Sequence, residues 1–116
     1  MSNSEEIHYI FETADPLNRY IYLTSERWDD HITSRHPEML GEEKLVKQAV
    51  EEPDAIYPDE DFEGTHNYYF EHDDPILSAY GSKVKVVVYN DPAGQINTAF
   101  FTQRVKEKTV PIYVKP

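Results

Sequence analysis

The chain has 116 residues, no cysteine, and 22 acidic against 11 basic side chains, which give a net charge of −11. This length predicts one domain with one core, and the lack of cysteine excludes disulfides and thiolate metal sites. Since the N-terminus lacks the basic and apolar regions of a signal peptide, and no apolar run approaches the ~18 residues of a membrane span, the sequence predicts a cytoplasmic protein without a membrane partner.

Two short strands are predicted first. Residues 7–11 and 20–23 are rich in aromatic and β-branched side chains, which suit a pleated, half-buried surface. The segment Asp15-Pro-Leu-Asn18 lies between them and has the composition of a turn. The pattern therefore predicts two strands joined by a turn at the start of the domain.

Two helices follow. Ser25 is the predicted N-cap of the first helix, which runs from about Glu26 to Arg35 and ends before Pro37, because proline biases the preceding residue out of the α region. The second helix is predicted over 41–52, where Pro53 stops it. Its apolar stripe comprises Leu45, Val46, Ala49 and Val50.

The rest of the chain is predicted to be mostly strand. The predicted strands are a short one near 56–57 within an acidic loop, then 67–72, 83–90, 95–102 and an edge strand within 110–114. A four-residue loop, Asp91-Pro-Ala-Gly94, joins the third and fourth of these into a hairpin. The order predicts an α+β domain in which two N-terminal helices pack on a mostly antiparallel sheet of about four to five strands.

The hairpin register assigns side chains to the two faces of this sheet. If Asn90 faces Gln95, then Val87 faces Thr98, Lys85 faces Phe100 and Lys83 faces Thr102. The predicted core face carries Val84, Val86, Val88, Ala99 and Phe101. The opposite face carries Lys83, Lys85, Thr98, Phe100 and Thr102, with Arg104 beyond. We predict that Lys83, Lys85 and Arg104 bind phosphate; the alternative is an ordinary solvated face.

The first helix contributes a second group of candidate residues. On a wheel at 100° per residue, Trp28 and Ile32 face the sheet, while His31 and Arg35 lie together at the margin of that buried face and His36 lies at its other margin. An imidazole beside a guanidinium at such a margin is a candidate acid–base site. The alternative is that these side chains only pack against the sheet or form local ion pairs.

A metal site is a weaker alternative. His66 and His72 lie near Glu71, Asp73 and Asp74, but their spacing matches none of the compact zinc patterns, and acidic loops are usually just solvated. The sequence also lacks a phosphate-binding loop, a nucleophile elbow and a cysteine nucleophile. We therefore predict no metal and no cofactor.

Five segments together resemble a known nuclease fold. They are Trp28-Asp-Asp-His-Ile-Thr-Ser-Arg-His-Pro-Glu38, Ala49-Val-Glu-Glu-Pro-Asp-Ala-Ile56, Asn67-Tyr-Tyr69, Val84-Lys-Val-Val-Val88 and Asn97-Thr-Ala-Phe-Phe101. In this order, over roughly residues 20–104, they resemble the phage-associated branch of the barnase–EndoU–colicin–RelE nuclease fold. The helix motif with histidine, arginine and H-P-E is the most specific part of the resemblance.

The resemblance implies a metal-independent, toxin-type ribonuclease that cleaves RNA by attack of the 2′-hydroxyl on the adjacent phosphate. Such a reaction needs a base, an acid and a cation near the phosphate. By position, the resemblance implies that His31 and His36 are the acid–base candidates, Arg35 holds the phosphate and Thr98 orients it. RNA is then the expected ligand.

A catalytically silent, regulatory or protein-binding domain of the same fold is the alternative. Residues 38–74 carry 13 acidic and 2 basic side chains, whereas residues 75–116 carry 6 basic and 2 acidic ones. The acidic segment 51–74 would suit a protein inhibitor or a basic protein partner. A nuclease should expose His31 in a groove near Arg35 and a sheet cation, whereas a silent domain should bury these residues or hold them in local salt bridges.

Overall fold

Seven strands form a single mixed sheet in the computed structural model, which describes residues 6–91 and 93–116. The strands are β1 (Tyr9–Ala14), β2 (Tyr20–Thr24), β3 (Ala55–Pro58), β4 (Thr65–Glu71), β5 (Lys83–Tyr89), β6 (Gln95–Thr102) and β7 (Tyr113–Val114). Their order across the sheet is β1-β2-β6-β5-β4-β3-β7. Every neighbouring pair is antiparallel except β2 and β6. The predicted α+β class is confirmed.

The sheet is larger than the four to five strands that we predicted. The N-terminal hairpin of β1 and β2 does not stand apart, because Tyr22 pairs in parallel with Gln95 and so extends the sheet beyond β6. At the other edge, β7 pairs with β3 and makes the edge strand predicted near the C-terminus. Two parts of the chain lie outside the described residues, namely residues 1–5 and Pro92 of the hairpin loop. Residues 1–5 hold most of the N-terminal segment that we predicted not to be a signal peptide.

The first helix is built from three consecutive pieces. They are an α-helical turn over Ser25–Arg27, a π-helical turn over Trp28–Ile32 and another α-helical turn over Thr33–Arg35. The predicted end at Arg35 is confirmed, but the N-cap is Thr24 rather than Ser25, since Thr24 Oγ1 accepts the Arg27 N–H at 3.1 Å. Trp28 and Ile32 are buried, as predicted.

The second helix spans Glu43–Glu51 and is shorter than predicted. Two single 3₁₀ turns, Pro37–Met39 and Leu77–Ala79, lie in the connections. The predicted stripe is buried at Val46, Ala49 and Val50 and partly buried at Leu45. The second helix contacts β1, β4 and β5, although β1 lies three places from β5 across the sheet. The sheet therefore curves around this helix. Among the described residues, no helix has the length and apolar character that crossing a membrane requires.

The hairpin register matches the prediction over most of its length. Val87 pairs with Thr98, Lys85 with Phe100 and Lys83 with Thr102. The predicted core face is also confirmed, since all five of its members are buried: Val84, Val86, Val88, Ala99 and Phe101. The predicted pairing of Asn90 with Gln95 is wrong, because Tyr89 takes that place and a bulge shifts the register between Val87 and Val88. The bulge absorbs the one-residue difference without turning the hairpin over.

Gly94 allows the two halves of the sheet to meet. Its φ is +86°, in the left-handed region that favours glycine. A Cβ there would clash with the Tyr20 carbonyl oxygen, because the Tyr22 N–H donates to the Gly94 carbonyl at 2.9 Å and holds β2 against the loop. The Tyr20 carbonyl belongs to the backbone and cannot rotate away as a side chain can. We therefore expect Gly94→Ala to lower the free energy of unfolding by about 2 kcal/mol or more.

Chemical denaturation measures this loss, and Gly41→Ala is its matched control. Gly41 has a nearly identical φ of +85°, but a Cβ there would meet nothing within 4 Å. This control should lose only the cost of the left-handed backbone, about 1 kcal/mol. Equal losses in the two variants would contradict the close approach of β2 to the hairpin loop.

A buried polar network ties the β1–β2 turn to β4. The Asp15 carboxylate, whose side chain is fully buried, accepts the Tyr68 O–H at 2.5 Å and the Arg19 Nε–H at 2.9 Å. The Tyr68 hydroxyl in turn accepts from Arg19 Nη2 at 2.9 Å and from Asn90 Nδ2 at 3.3 Å. Burial, together with the bond to Asp15, raises the pKa of Tyr68. The network therefore holds Tyr68 as a neutral donor inside the core.

His66 extends this network and makes stability depend on pH. Its Nδ1 lies 2.6 Å from Asn90 Oδ1, and burial lowers the pKa of His66 from 6.5, which outweighs the opposing effect of the bond to Asn90. The folded state therefore prefers the neutral ring. Its contribution to stability is complete above pH 6.5 and is lost as the pH falls from there towards the lower folded-state pKa.

We expect the free energy of unfolding to decrease between about pH 7 and pH 5, and His66→Gln to remove part of that decrease. Urea denaturation at a series of pH values measures both. His8→Gln, at an exposed histidine, should keep the wild-type pH dependence. The same pH dependence in wild type and His66→Gln would contradict the assignment to His66.

Candidate functional site

The outer face of the sheet, meaning the side of β4, β5 and β6 turned away from the second helix, carries the predicted sheet residues. Three cross-strand rows run over it: Asn67, Val87 and Thr98; Tyr69, Lys85 and Phe100; and Glu71, Lys83 and Thr102. Lys85 and Thr98 are half-buried on this face. The face therefore combines cations, hydroxyls and aromatic rings, as the register predicts.

Phe100 connects this face to the first helix. The His36 ring stacks on the Phe100 ring with 5.1 Å between centroids and an angle of 27°. Lys85 Nζ lies 5.8 Å from the centroid of Phe100 and 5.6 Å from that of Tyr69. A histidine from the helix end and a sheet lysine thus border the same aromatic ring, although the lysines project away from the second helix.

The local sequence explains the position of His36. The His36 N–H donates to the Ile32 carbonyl at 2.8 Å and completes the first helix. Pro37 then excludes the α conformation for His36, which adopts φ −129° and ψ 73° and turns the chain out of the helix. Glu38 Oε2 lies 3.8 Å from His36 Nδ1. This separation is longer than a hydrogen bond, so the carboxylate acts on the Nδ1 side of the ring only by electrostatic attraction.

The other predicted helix residues are exposed. The Trp28–Ile32 turn is closed by an i→i+5 bond from the Thr33 N–H to the Trp28 carbonyl, so the 100° wheel does not hold through it. His31 lies exposed, as does Arg35. Among the described residues, neither side chain has a hydrogen bond or ion pair with the sheet. The structure therefore brings His36, Lys85 and Thr98 to one face and leaves His31 and Arg35 on the helix surface.

Both predicted sheet lysines are paired with carboxylates. Lys83 Nζ lies 3.1 Å from Glu71 Oε1, and Lys85 Nζ lies 3.4 Å from Glu107 Oε2. Arg104, the third predicted phosphate contact, is exposed just beyond β6. Ion pairing of the lysines is the feature that we expected of a silent domain. His31 and Arg35 are exposed, as expected of a nuclease, but they lie on the helix surface and not in a groove beside a sheet cation.

Sequence reasoning missed Glu107, which lies on a segment that crosses the outer face. This strap, residues 103–112, leaves β6 and reaches β7 at the far edge of the sheet, where Thr109 Oγ1 donates to the Pro58 carbonyl at 2.6 Å. Glu107 projects from the strap onto the face, and its side chain is only 5% exposed. The available signal was that Glu107 is the only acidic residue after Asp91.

Three donors surround the Glu107 carboxylate. The Tyr69 O–H donates to Oε2 at 2.6 Å, Asn67 Nδ2 lies 3.1 Å from both carboxylate oxygens, and Lys85 Nζ completes the group. Burial and then the bond to Glu107 raise the pKa of Tyr69, which keeps the phenol protonated as a donor. The arrangement is a site for an anion, and the chain's own carboxylate occupies it.

The acidic segment borders a different surface. A groove of about 810 Å³ is lined by the acidic residues Glu42, Asp54, Glu71, Asp73 and Asp74, with one lysine and apolar side chains between them. Within residues 6–91 and 93–116, no group of three or more His, Asp or Glu side chains is arranged to hold a metal ion.

His72, which the sequence suggested as a metal ligand, serves the backbone instead. The ring is buried, its Nε2 lies 2.6 Å from the Gly81 carbonyl, and its Nδ1 accepts the Asp74 N–H at 3.2 Å. Both nitrogens are therefore engaged, which requires the neutral ring with the proton on Nε2.

Comparisons with protein-family models, with curated proteins and with solved structures find no match for this chain. The resemblance to the phage-associated nuclease branch therefore depends on the sequence motifs alone. The outer face and the first helix carry the side chains whose chemistry bears on function.

Proposed function

We propose that this domain is a metal-independent, toxin-type ribonuclease of the barnase-like class that acts in the cytoplasm, with its reaction centre on the outer face at His36. The observation that carries the proposal is the meeting of His36 and Lys85 at the ring of Phe100. A proton-transfer group and a cation thereby border one aromatic surface. They would supply the cation and one of the two proton-transfer groups that cleavage of RNA without a metal requires.

The proposed reaction removes one proton from the RNA and returns one proton to it. A base removes the proton of the ribose 2′-hydroxyl, the 2′-oxygen attacks phosphorus, and the bond to the 5′-oxygen breaks as that oxygen receives a proton. The products are a 2′,3′-cyclic phosphate and a free 5′-hydroxyl, so no external reactant is consumed. His36 exchanges the proton, Glu38 acts on the Nδ1 side of its ring by electrostatic attraction, and Lys85 balances charge on the phosphate.

The aromatic side chains fit a single-stranded substrate. Phe100 lies beside Lys85 in one row and is half-buried, whereas Tyr69 on the other side of Lys85 is buried. An unpaired base can stack on an accessible ring such as Phe100 while cations bind the backbone. Thr98 would orient the phosphate from the neighbouring row. His31 and Arg35 on the helix, with Lys83 and Arg104 beside the row, remain predicted contributors to catalysis and to phosphate binding, respectively.

Cleavage of a mixed single-stranded RNA in the presence of EDTA tests the proposal. We expect fragments that end in a 2′,3′-cyclic phosphate, and no cleavage of the 2′-deoxy analogue, which lacks the nucleophile. An RNA that stays intact at high protein concentration would contradict the proposal.

A silent, regulatory protein-binding domain of phage or defence origin is the second candidate. The observation that favours it is that Lys83 and Lys85 are both neutralised by carboxylates, while carboxylates line the separate groove beside β4. Its partner would be a basic protein, or an inhibitor with a basic surface, docked at the acidic segment 51–74. Salt-sensitive binding of an Arg-rich peptide, together with intact RNA, is the result that this candidate predicts.

A further inference from the structure

We propose that Lys85, Tyr69 and Asn67 form a phosphate-binding site that Glu107 occupies as a tethered competitor, so that the strap controls access to the outer face. This inference rests on the proposed function, since it regulates the same face. The ligand class is a phosphate ester, such as the backbone of a nucleic acid, or free phosphate.

The donor set is that of an anion site. An ammonium group, a phenol and a side-chain amide converge on one carboxylate at distances of 3.4, 2.6 and 3.1 Å. All three donors come from the paired strands β4 and β5. They therefore stay in position when the anion leaves, and a phosphate oxygen can accept from the same groups.

The occupant comes from a less constrained part of the chain. Among the described residues, the hydrogen bonds that hold the strap outside the Glu107 site lie at its two ends. At the start, the Thr102 Oγ1–H donates to the Arg104 carbonyl at 3.2 Å. At the far end, Thr109 Oγ1 donates to the Pro58 carbonyl at 2.6 Å and the Ile112 N–H donates to the Ile56 carbonyl at 2.8 Å. An exposed ion pair between Lys108 and Glu60, at 4.0 Å, lies between them. Residues 103–106 are exposed and have no regular secondary structure. Lifting Glu107 therefore breaks its own contacts and disturbs little of the sheet.

Asn67 shows that the carboxylate leaves the site incomplete. Asn67 is 2% exposed, and among the described residues its Oδ1 has no hydrogen-bond partner. Its Nδ2 contacts Glu107 directly, so this unpaired acceptor lies at the site itself. An ionised carboxylate has no proton to donate, whereas hydrogen phosphate or a ribose hydroxyl has one. Free hydrogen phosphate would thus supply the missing donor itself, and an RNA strand would supply it from a ribose hydroxyl, whereas a DNA phosphodiester would bind the three donors alone.

Charge balance makes the exchange feasible. A half-buried Lys85 left without an anion would carry part of a desolvation penalty, and Glu107 prevents this when the site has no ligand. A phosphate that displaces Glu107 restores the pairing, and the released carboxylate returns to water. The tether gives Glu107 an effective concentration in the millimolar range, which weakens the apparent affinity of any free anion.

Glu107→Gln removes the charge of the competitor and is the direct test. Titrations with inorganic phosphate and with a short 2′-deoxyoligonucleotide, followed by NMR at Lys85 and Tyr69, should show affinity that is roughly tenfold tighter or better than wild type. Glu52→Gln is the matched control, since it removes the same charge from an exposed residue at the end of the second helix, on the other side of the sheet, and should leave both affinities unchanged. Adding Lys85→Met to Glu107→Gln should abolish the gain.

A wild-type measurement keeps the inference testable if Glu107→Gln fails to fold. Phosphate added to wild type should accelerate amide hydrogen exchange in residues 103–108 and not in β4 or β5. Equal affinities in Glu107→Gln and Glu52→Gln would overturn the inference. Where Glu107→Gln does not fold, unchanged exchange in the strap at saturating phosphate would overturn it.

The uncleavable probes separate this inference from the proposed ribonuclease activity. Tighter binding in Glu107→Gln without any RNA cleavage would keep the phosphate site and overturn the ribonuclease. Cleavage of RNA by wild type without tighter binding in the variant would keep the ribonuclease and overturn the role of Glu107. A response to inorganic phosphate but not to the oligonucleotide would identify free phosphate as the ligand.

Discussion

His36→Ala is expected to lower kcat/KM for RNA cleavage by at least about a hundredfold, the usual contribution of a positioned acid–base group. His36 is the one described histidine that stacks on an aromatic ring of the outer face. Its Nδ1 faces Glu38, so the variant removes the proton-transfer group beside that carboxylate. Initial rates on a fluorogenic oligonucleotide in EDTA measure the loss, and thermal unfolding verifies that the variant is folded.

Two other histidines make this test specific. His8→Ala changes an exposed histidine on the N-terminal segment before β1, and its rate should equal that of wild type. His31→Ala separates the helix surface from the outer face. A large loss in His31→Ala with normal activity in His36→Ala would contradict the assignment to His36 and would return the reaction centre to the exposed side of the first helix.

Asp15→Ala is expected to lower the free energy of unfolding by about 4 kcal/mol, because removing one member of a buried ionic network leaves its partners unpaired. The carboxylate accepts the backbone N–H groups of Leu17 and Arg19 at 3.0 and 2.9 Å, in addition to the Arg19 guanidinium and the Tyr68 hydroxyl. Its loss opens the β1–β2 turn and leaves the buried Tyr68 hydroxyl without its hydrogen-bond acceptor. Urea denaturation at neutral pH measures the change.

Asp74→Ala is the matched control for this loss. Asp74 also accepts two backbone N–H groups within its own loop, those of Ile76 and Leu77 at 2.9 and 3.1 Å. It is exposed, however, and within residues 6–91 and 93–116 neither an arginine nor a tyrosine bonds to its carboxylate. We expect a loss of about 1 kcal/mol or less. Similar losses in Asp15→Ala and Asp74→Ala would mean that the turn bonds, and not the buried network, stabilise the domain.

Much of the secondary structure could be predicted from local sequence. The alternation in β5 and β6 assigned the buried valines and the outer lysines correctly, and Pro37 and Pro53 marked where the two helices must end. The prediction for the first helix was wrong where a hydrogen bond departed from the regular i→i+4 pattern. Thr24, and not Ser25, is the N-cap of the first helix. The π-helical turn places His31 away from the margin of the buried face that a regular helical wheel predicts.

The composition of the candidate site was only partly predictable. Lys85 and Thr98 were assigned to the outer face because strand alternation depends on neighbours in the sequence. The stacking of His36 on Phe100 was not, since it depends on how the first helix lies along β6. Glu107 had no local signal that could place it beside Tyr69, from which it is separated by 38 positions in the chain.

The sequence by itself determined the α+β class, the positions of the strand segments and the separation of core from outer side chains. These depend on periodicity and chain stops, which act over a few residues. Only the tertiary structure decided that β2 extends the sheet in parallel, that Asp15 meets Tyr68 from 53 positions away, and that the strap brings a carboxylate onto Lys85. Such contacts depend on how the chain closes long loops, and no local pattern encodes which distant partners will meet.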